Sequence, residues 1–234
     1  MLQSHPRLRR SILIGTPLLT LLLLLFHPRP DPASMGLTEP LDGMDLYVLL
    51  APVADHFLVV HGLFAPLLGL LGLSVYLLLD GQRGAAATLS RVSAFVFVVT
   101  YLIYETLAGT AAALLVRGTA GLPVESQAVL GEAVRRIYTD PIFGDLPSVV
   151  SSAAWLSWLL AVALAAVALR RSGRPLGPCL LLGLSFIFIS HASMLGSLGM
   201  LLFLLAAVML ERAGGSAAAR ASNEVSPAAA AQAN

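Results

Sequence analysis

Five long, largely apolar stretches, at 11–26, 53–79, 92–116, 149–169 and 176–210, leave this chain few ways to fold. A helix needs about 20 apolar residues to cross the ~30 Å hydrocarbon core of a bilayer. These runs are continuous and rich in Leu and Ala, whereas the strands of a membrane barrel alternate apolar with polar residues. Composition agrees, because only 12% of the residues are charged against about 25% in soluble domains. A water-soluble fold would have too little charge to cover 57% hydrophobic residues. Helices in lipid are the expectation.

The last stretch, 176–210, is too long for one crossing. As a single helix it would reach about 52 Å at ~1.5 Å per residue. A turn at Ser190-His191-Ala192-Ser193 divides it into two short helices and gives six spans; without that turn there are five. The expected architecture is an all-α polytopic transmembrane bundle. Residues 1–10 form its N-terminal segment, 11–211 the membrane domain, and 212–234 a disordered Gly/Ser/Ala-rich tail. The first span follows Arg7, Arg9 and Arg10 and resembles a signal sequence. No small-x-small cleavage site follows it in His27-Pro-Arg-Pro-Asp-Pro, so it reads as an anchor that stays. Between spans, 45–51 reads as a short interfacial helix. A second, 124–138, places Leu130, Val134, Ile137 and Tyr138 on one side.

Charge orients the bundle. All fourteen basic residues are Arg. With both termini inside, the inner segments hold ten of them, including Arg83, Arg91, Arg170, Arg171 and Arg174. The outer loops hold Arg29, Arg117, Arg135 and Arg136. That bias satisfies the positive-inside rule, so both termini are expected in the cytosol. The heavy Arg, Ala and Leu usage fits a bacterial cytoplasmic membrane. The expected partners are the lipid bilayer and a second copy or another membrane protein. No Lys/Arg-rich face exists for nucleic acid.

Ionisable groups inside spans are the candidates for chemistry, because burying a charge costs a few kcal/mol or more. Glu105 is the clear case, near the middle of the third span. Tyr101 lies one turn before it and Tyr104 beside it, so Glu105, Tyr101 and Tyr104 are candidates to bind a ligand or a proton. The plainer reading is a protonated Glu105 hydrogen-bonded to a neighbouring helix. The histidines supply a second set. Apart from His5, all fall toward the outer side, and His56, His61 and His191 with Glu105 form a candidate metal or haem site. Spacing argues against part of it. His56 and His61 are five apart, about 140° around a helix, and do not share a face. Histidines resting at the membrane boundary are the plainer reading.

Other chemistries lack their motifs. Neither GxxxxGK[ST] nor a nucleophile elbow is present, and the single Cys179 builds neither a disulfide nor a cysteine zinc cluster within the chain. The glycines Gly62, Gly69 and Gly72 read as helix packing. Sequence therefore favours a small helical bundle with a structural, partner-binding or small-molecule-binding role and names no cofactor. A metal- or haem-binding membrane enzyme and a proton-coupled transporter using Glu105 follow as alternatives.

Overall fold

The computed structural model describes residues 5–29, 31–37, 41–191 and 193–231, with side chains to residue 213. Every regular element among them is helical. Helix α1 spans Pro6–Leu25, α2 Gly43–Leu50, α3 Ala54–Leu78, α4 Ala85–Gly118, α5 Val124–Thr139, α6 Val149–Arg171, α7 Leu176–Leu184 and α8 Met194–Ala231. Five helical segments are long and apolar enough to cross a membrane: α1, α2–α3 together, α4, α6 and Met194–Ala213 of α8. The protein is a helical transmembrane bundle.

The expected hairpin in 176–210 is present, with an unequal first arm. Helix α7 and the 3₁₀ turn Ser185–Ile189 that follows it make a 14-residue segment, Leu176–Ile189, shorter than the other five. The chain turns between Ile189 and Met194, a stretch whose sequence holds neither Gly nor Pro. The small residues sit in the returning helix instead. A Cβ on Gly196 would lie 2.5 Å from the His191 Cα, and one on Gly199 would lie 2.2 Å from the Phe188 backbone nitrogen. Beyond its apolar part, α8 continues through the Ala-rich segment to Ala231, where the sequence suggests a disordered tail. Alanine has the strongest intrinsic helix preference of any residue.

Apolar side chains face both inward and outward, as lipid allows. Trp158 of α6 is fully buried among Phe97, Phe188 and Phe203, with ring centroids 4.7, 5.5 and 5.8 Å away. Its indole nitrogen donates to the Ser185 carbonyl at 3.3 Å. The Ser90 hydroxyl donates to the Ala161 carbonyl at 2.6 Å, tying α4 to α6. Meanwhile Val59, Leu63, Phe95, Val99, Leu156 and Leu205 stand exposed on the outer faces.

The two ends of the bundle differ. At one, Arg9 of α1 pairs with Glu211 of α8 at 2.5 Å and donates to the Leu77 carbonyl at 3.2 Å. Arg91 closes the α3–α4 connection there by donating to the Leu79 and Gln82 carbonyls. The start of α1 and the end of the apolar part of α8 therefore share an end. The opposite end is roofed by α2 and α5, which cross where Gly43 meets Gly131. A Cβ on Gly131 would lie 2.0 Å from the Gly43 carbonyl oxygen, so only glycine permits that approach. Helix α2 starts with a reciprocal cap: Asp42 accepts from the Asp45 amide and Asp45 from the Asp42 amide.

Candidate metal centre

Under the α2–α5 roof, four separate parts of the chain bring ionisable side chains together. His27 follows the end of α1, His61 lies two turns into α3, Glu105 is inside α4, and His191 occupies the turn before α8. All four are buried, with exposures of 7%, 4%, 2% and 7%. One nitrogen from each of His27, His61 and His191 lies within 4.8 Å of the other two. The rings meet edge to face, with centroids 5.1 to 6.3 Å apart.

Hydrogen bonds fix which nitrogens face inward. His61 Nδ1 is 2.8 Å from the Phe57 carbonyl and His27 Nδ1 is 2.8 Å from the Pro28 carbonyl. A carbonyl only accepts, so each Nδ1 carries the proton and each Nε2 keeps its lone pair. That is the outer bonding by which metal-ligating histidines are oriented. His191 Nδ1 bonds to the Tyr101 hydroxyl. Burial also holds the His27 imidazole below its ordinary pKa, opposed by the bond to Pro28.

Glu105 stands against two of these rings. Its carboxylate oxygens are 3.3 Å from His191 Nε2 and 3.6 Å from His61 Nε2. Both oxygens and His27 Nε2 lack a hydrogen-bond partner among the described residues. A buried carboxylate left this way costs several kcal/mol unless a cation or proton answers it.

Local structure explains the convergence. Glu105 opens a π-helical segment, Glu105–Ala111, within α4. Such wide turns recur at functional sites because they redirect side chains and release carbonyls. The Ala108 carbonyl in this segment accepts from the Tyr138 hydroxyl of α5 at 2.8 Å. At Gly109 the helix also yields room for the imidazole. A Cβ there would lie 2.1 Å from His61 Cδ2. Phe57 stacks against His61 at 4.0 Å and Phe64 packs beside His191 at 5.5 Å, forming an apolar wall around the polar centre.

Two cavities adjoin the cluster. One, of about 390 Å³, is lined by His27, His61 and His191 together with Leu46, Leu49, Leu50 and Phe57. The other, of about 450 Å³, is lined by Tyr101, Ser151, Trp155 and Ile189. Three residues line both: Tyr104, Asp145 and His191. The Tyr104 hydroxyl donates to Asp145 at 2.5 Å. A well-bonded loop delivers that carboxylate. Asp140 accepts from the Ile142 and Phe143 amides, the Asp145 amide donates to the Tyr138 carbonyl, and Ser148 and Ser151 both donate to the Gly144 carbonyl. Burial raises the Asp145 pKa, and the Tyr104 hydrogen bond pulls it partly back.

The candidates named from sequence thus separate. Glu105, Tyr101, Tyr104, His61 and His191 meet at one site, whereas His56 is exposed, one and a half turns before His61. The five-residue spacing gives the reason, since it turns the two imidazoles to different faces. Asp55 is on the surface, 3.5 Å from Arg117. His27 takes the third position in the cluster. Its approach depends on how the chain leaves α1, which helical periodicity does not describe. Asp145 was not a sequence candidate either, because an acid in a polar loop carries no signal of burial. No known protein family matches the chain, and no curated protein or solved structure matches it.

Proposed function

We propose that this chain is a metal-dependent membrane enzyme in which His27, His61 and His191 hold one divalent transition-metal ion, zinc by donor type. The observation that carries the reading is the meeting of three buried imidazole nitrogens from three distant parts of the sequence, within 4.8 Å of one another. Donors bound at ~2.0–2.1 Å to one tetrahedral ion stand about 3.3–3.4 Å apart, so small ring movements complete the set. Three protein ligands leave a position for water, the usual arrangement of a catalytic zinc site. A bound ion also answers the buried Glu105 charge. This ranks the metal reading above the boundary-histidine reading that spacing alone favours.

The chemistry that suits these groups is hydrolysis. A bound ion would supply an acidified water and a polarised carbonyl or phosphoryl oxygen. Glu105 would take a proton from water as its oxygen adds to the electrophilic carbon or phosphorus, and would return that proton to the departing group. Tyr101 orients His191 through its Nδ1. Asp145, at the junction of the cavities, is the second carboxylate within reach of a reacting group. The finer address proposed is the bacterial cytoplasmic membrane, with the Arg9–Glu211 end inside.

Elemental analysis of the purified, zinc-reconstituted protein tests the reading. About one equivalent of metal is expected, falling at least tenfold in affinity in each of His27→Ala, His61→Ala and His191→Ala, while His56→Ala keeps it. Failure to hold any of zinc, cobalt, iron, manganese or copper stoichiometrically would overturn the proposal.

A further inference from the structure

The cavity that opens onto the imidazoles also says what kind of molecule it takes. Its polar lining is three histidine rings, Arg29, Tyr104, Tyr138 and Asp145. Much of the remaining wall is Leu46, Leu49, Leu50 and Phe57, of which the last three are at most 9% exposed. The cavity, of about 390 Å³, opens to the surroundings and sets these apolar side chains beside the ionisable cluster. The volume falls within the ~300–1,000 Å³ typical of small-molecule sites.

A polar substrate would leave its donors and acceptors unpaired against this wall, which disfavours it. A small apolar one would give the polar end nothing to act on. The neighbouring cavity repeats the pattern, with Leu146, Trp155 and Ile189 facing Tyr101, Tyr104 and Asp145. Leu146 is 61% exposed and so gives that cavity an edge on the surroundings of the bundle. In a chain surrounded by lipid, a molecule with one polar end and one hydrocarbon end is what such a space receives.

Resting on the metal-centre reading, we infer that the substrate is a single-chain, lipid-like amphiphile. Its reactive carbonyl or phosphoryl group lies at the three histidines, and its hydrocarbon chain lies along Leu46, Leu49, Leu50 and Phe57. The bond broken joins the acyl or phosphoryl group to its leaving oxygen or nitrogen. Water supplies hydroxide to the electrophile and a proton to the leaving group.

Alkyl hydroxamates test this, because their head chelates metal whatever tail they carry. Cobalt-loaded protein in detergent would be titrated with acetohydroxamate and dodecanohydroxamate, reading the visible cobalt band. Partition of each probe would be measured in protein-free micelles. Burying a methylene is worth a factor of about 4, so after that correction the longer probe should bind at least tenfold tighter. Leu46→Trp, which narrows the cavity with an apolar ring, should weaken dodecanohydroxamate tenfold or more and leave acetohydroxamate unchanged. The chain-length comparison needs no variant and stands if that substitution does not fold. Equal corrected affinities on metal-loaded protein would overturn the amphiphile inference and leave the metal centre standing. A protein that takes up no cobalt would sink the metal centre first.

Discussion

At the scale of single residues, Glu105 and Asp145 do different work and should fail differently. Glu105→Gln keeps the shape but gives up the proton-accepting oxygen. Metal content should stay near one equivalent while turnover of an acyl-chain ester falls about 10²–10⁴-fold, the usual range for a lost general acid–base. Unchanged turnover would return Glu105 to a packing role. Asp145→Asn touches stability in the unusual direction. Because burial raises the folded-state pKa of Asp145, its ionised form weakens the fold at neutral pH, and that cost is relieved as pH falls through the raised value. The variant should therefore unfold at the same or a higher temperature than the parent at pH 7. The gap should close as pH drops toward the ordinary aspartate range, where both chains are neutral. A lower midpoint at pH 7 in a detergent melt would contradict this. Carboxylates kept at a cost to the fold are typical of functional sites. Glu105 could be found from sequence because an acid in an apolar run is conspicuous. His27 and Asp145 could not, since both lie in connections whose path is set by tertiary hydrogen bonds.

Among elements, the π-helical segment of α4 and its glycine decide whether His61 reaches its neighbours. Gly109→Val puts branched carbon where the imidazole ring lies, as the 2.1 Å approach to His61 Cδ2 requires. Metal affinity should fall by at least tenfold while far-UV circular dichroism keeps the parent helix content. Retained affinity would mean that His61 is not a ligand. The helices themselves were legible in the sequence. Length set the spans, the excess length of 176–210 over one crossing set the hairpin, and the apolar side of 124–138 announced α5. The π turn was not legible, because Glu105-Thr-Leu-Ala-Gly-Thr-Ala carries no proline and a lone glycine in a helical run does not distinguish a wide turn from close helix packing. Within it the Ala108 carbonyl accepts from Tyr138 of α5, a tertiary contact that the local sequence does not announce. The turn at 190–193 was placed by length alone, and its glycines sit in the helix that packs on it, at Gly196 and Gly199.

Across the whole molecule, polarity divides between the two ends. Arg9, Arg91 and Glu211 tie one end together, and the imidazoles lie under the α2–α5 roof at the other. A cysteine introduced in the Arg83 or Arg171 connection should resist a membrane-impermeant maleimide applied to intact cells, and one in 120–123 should react. The reverse pattern would invert the bundle and put the histidine cluster on the cytosolic side. The Arg9–Glu211 ion pair brings the start of α1 and the end of the apolar part of α8 to one side.

The sites of His27 and His191 are separated by most of the polypeptide. A ribosome delivers the first imidazole long before the last, so the three-histidine set is complete only once the closing hairpin is made. An ion held there as proposed would be captured late in biogenesis, a seal on a finished fold. Chains truncated before residue 191 would be left as inserted but empty scaffolds.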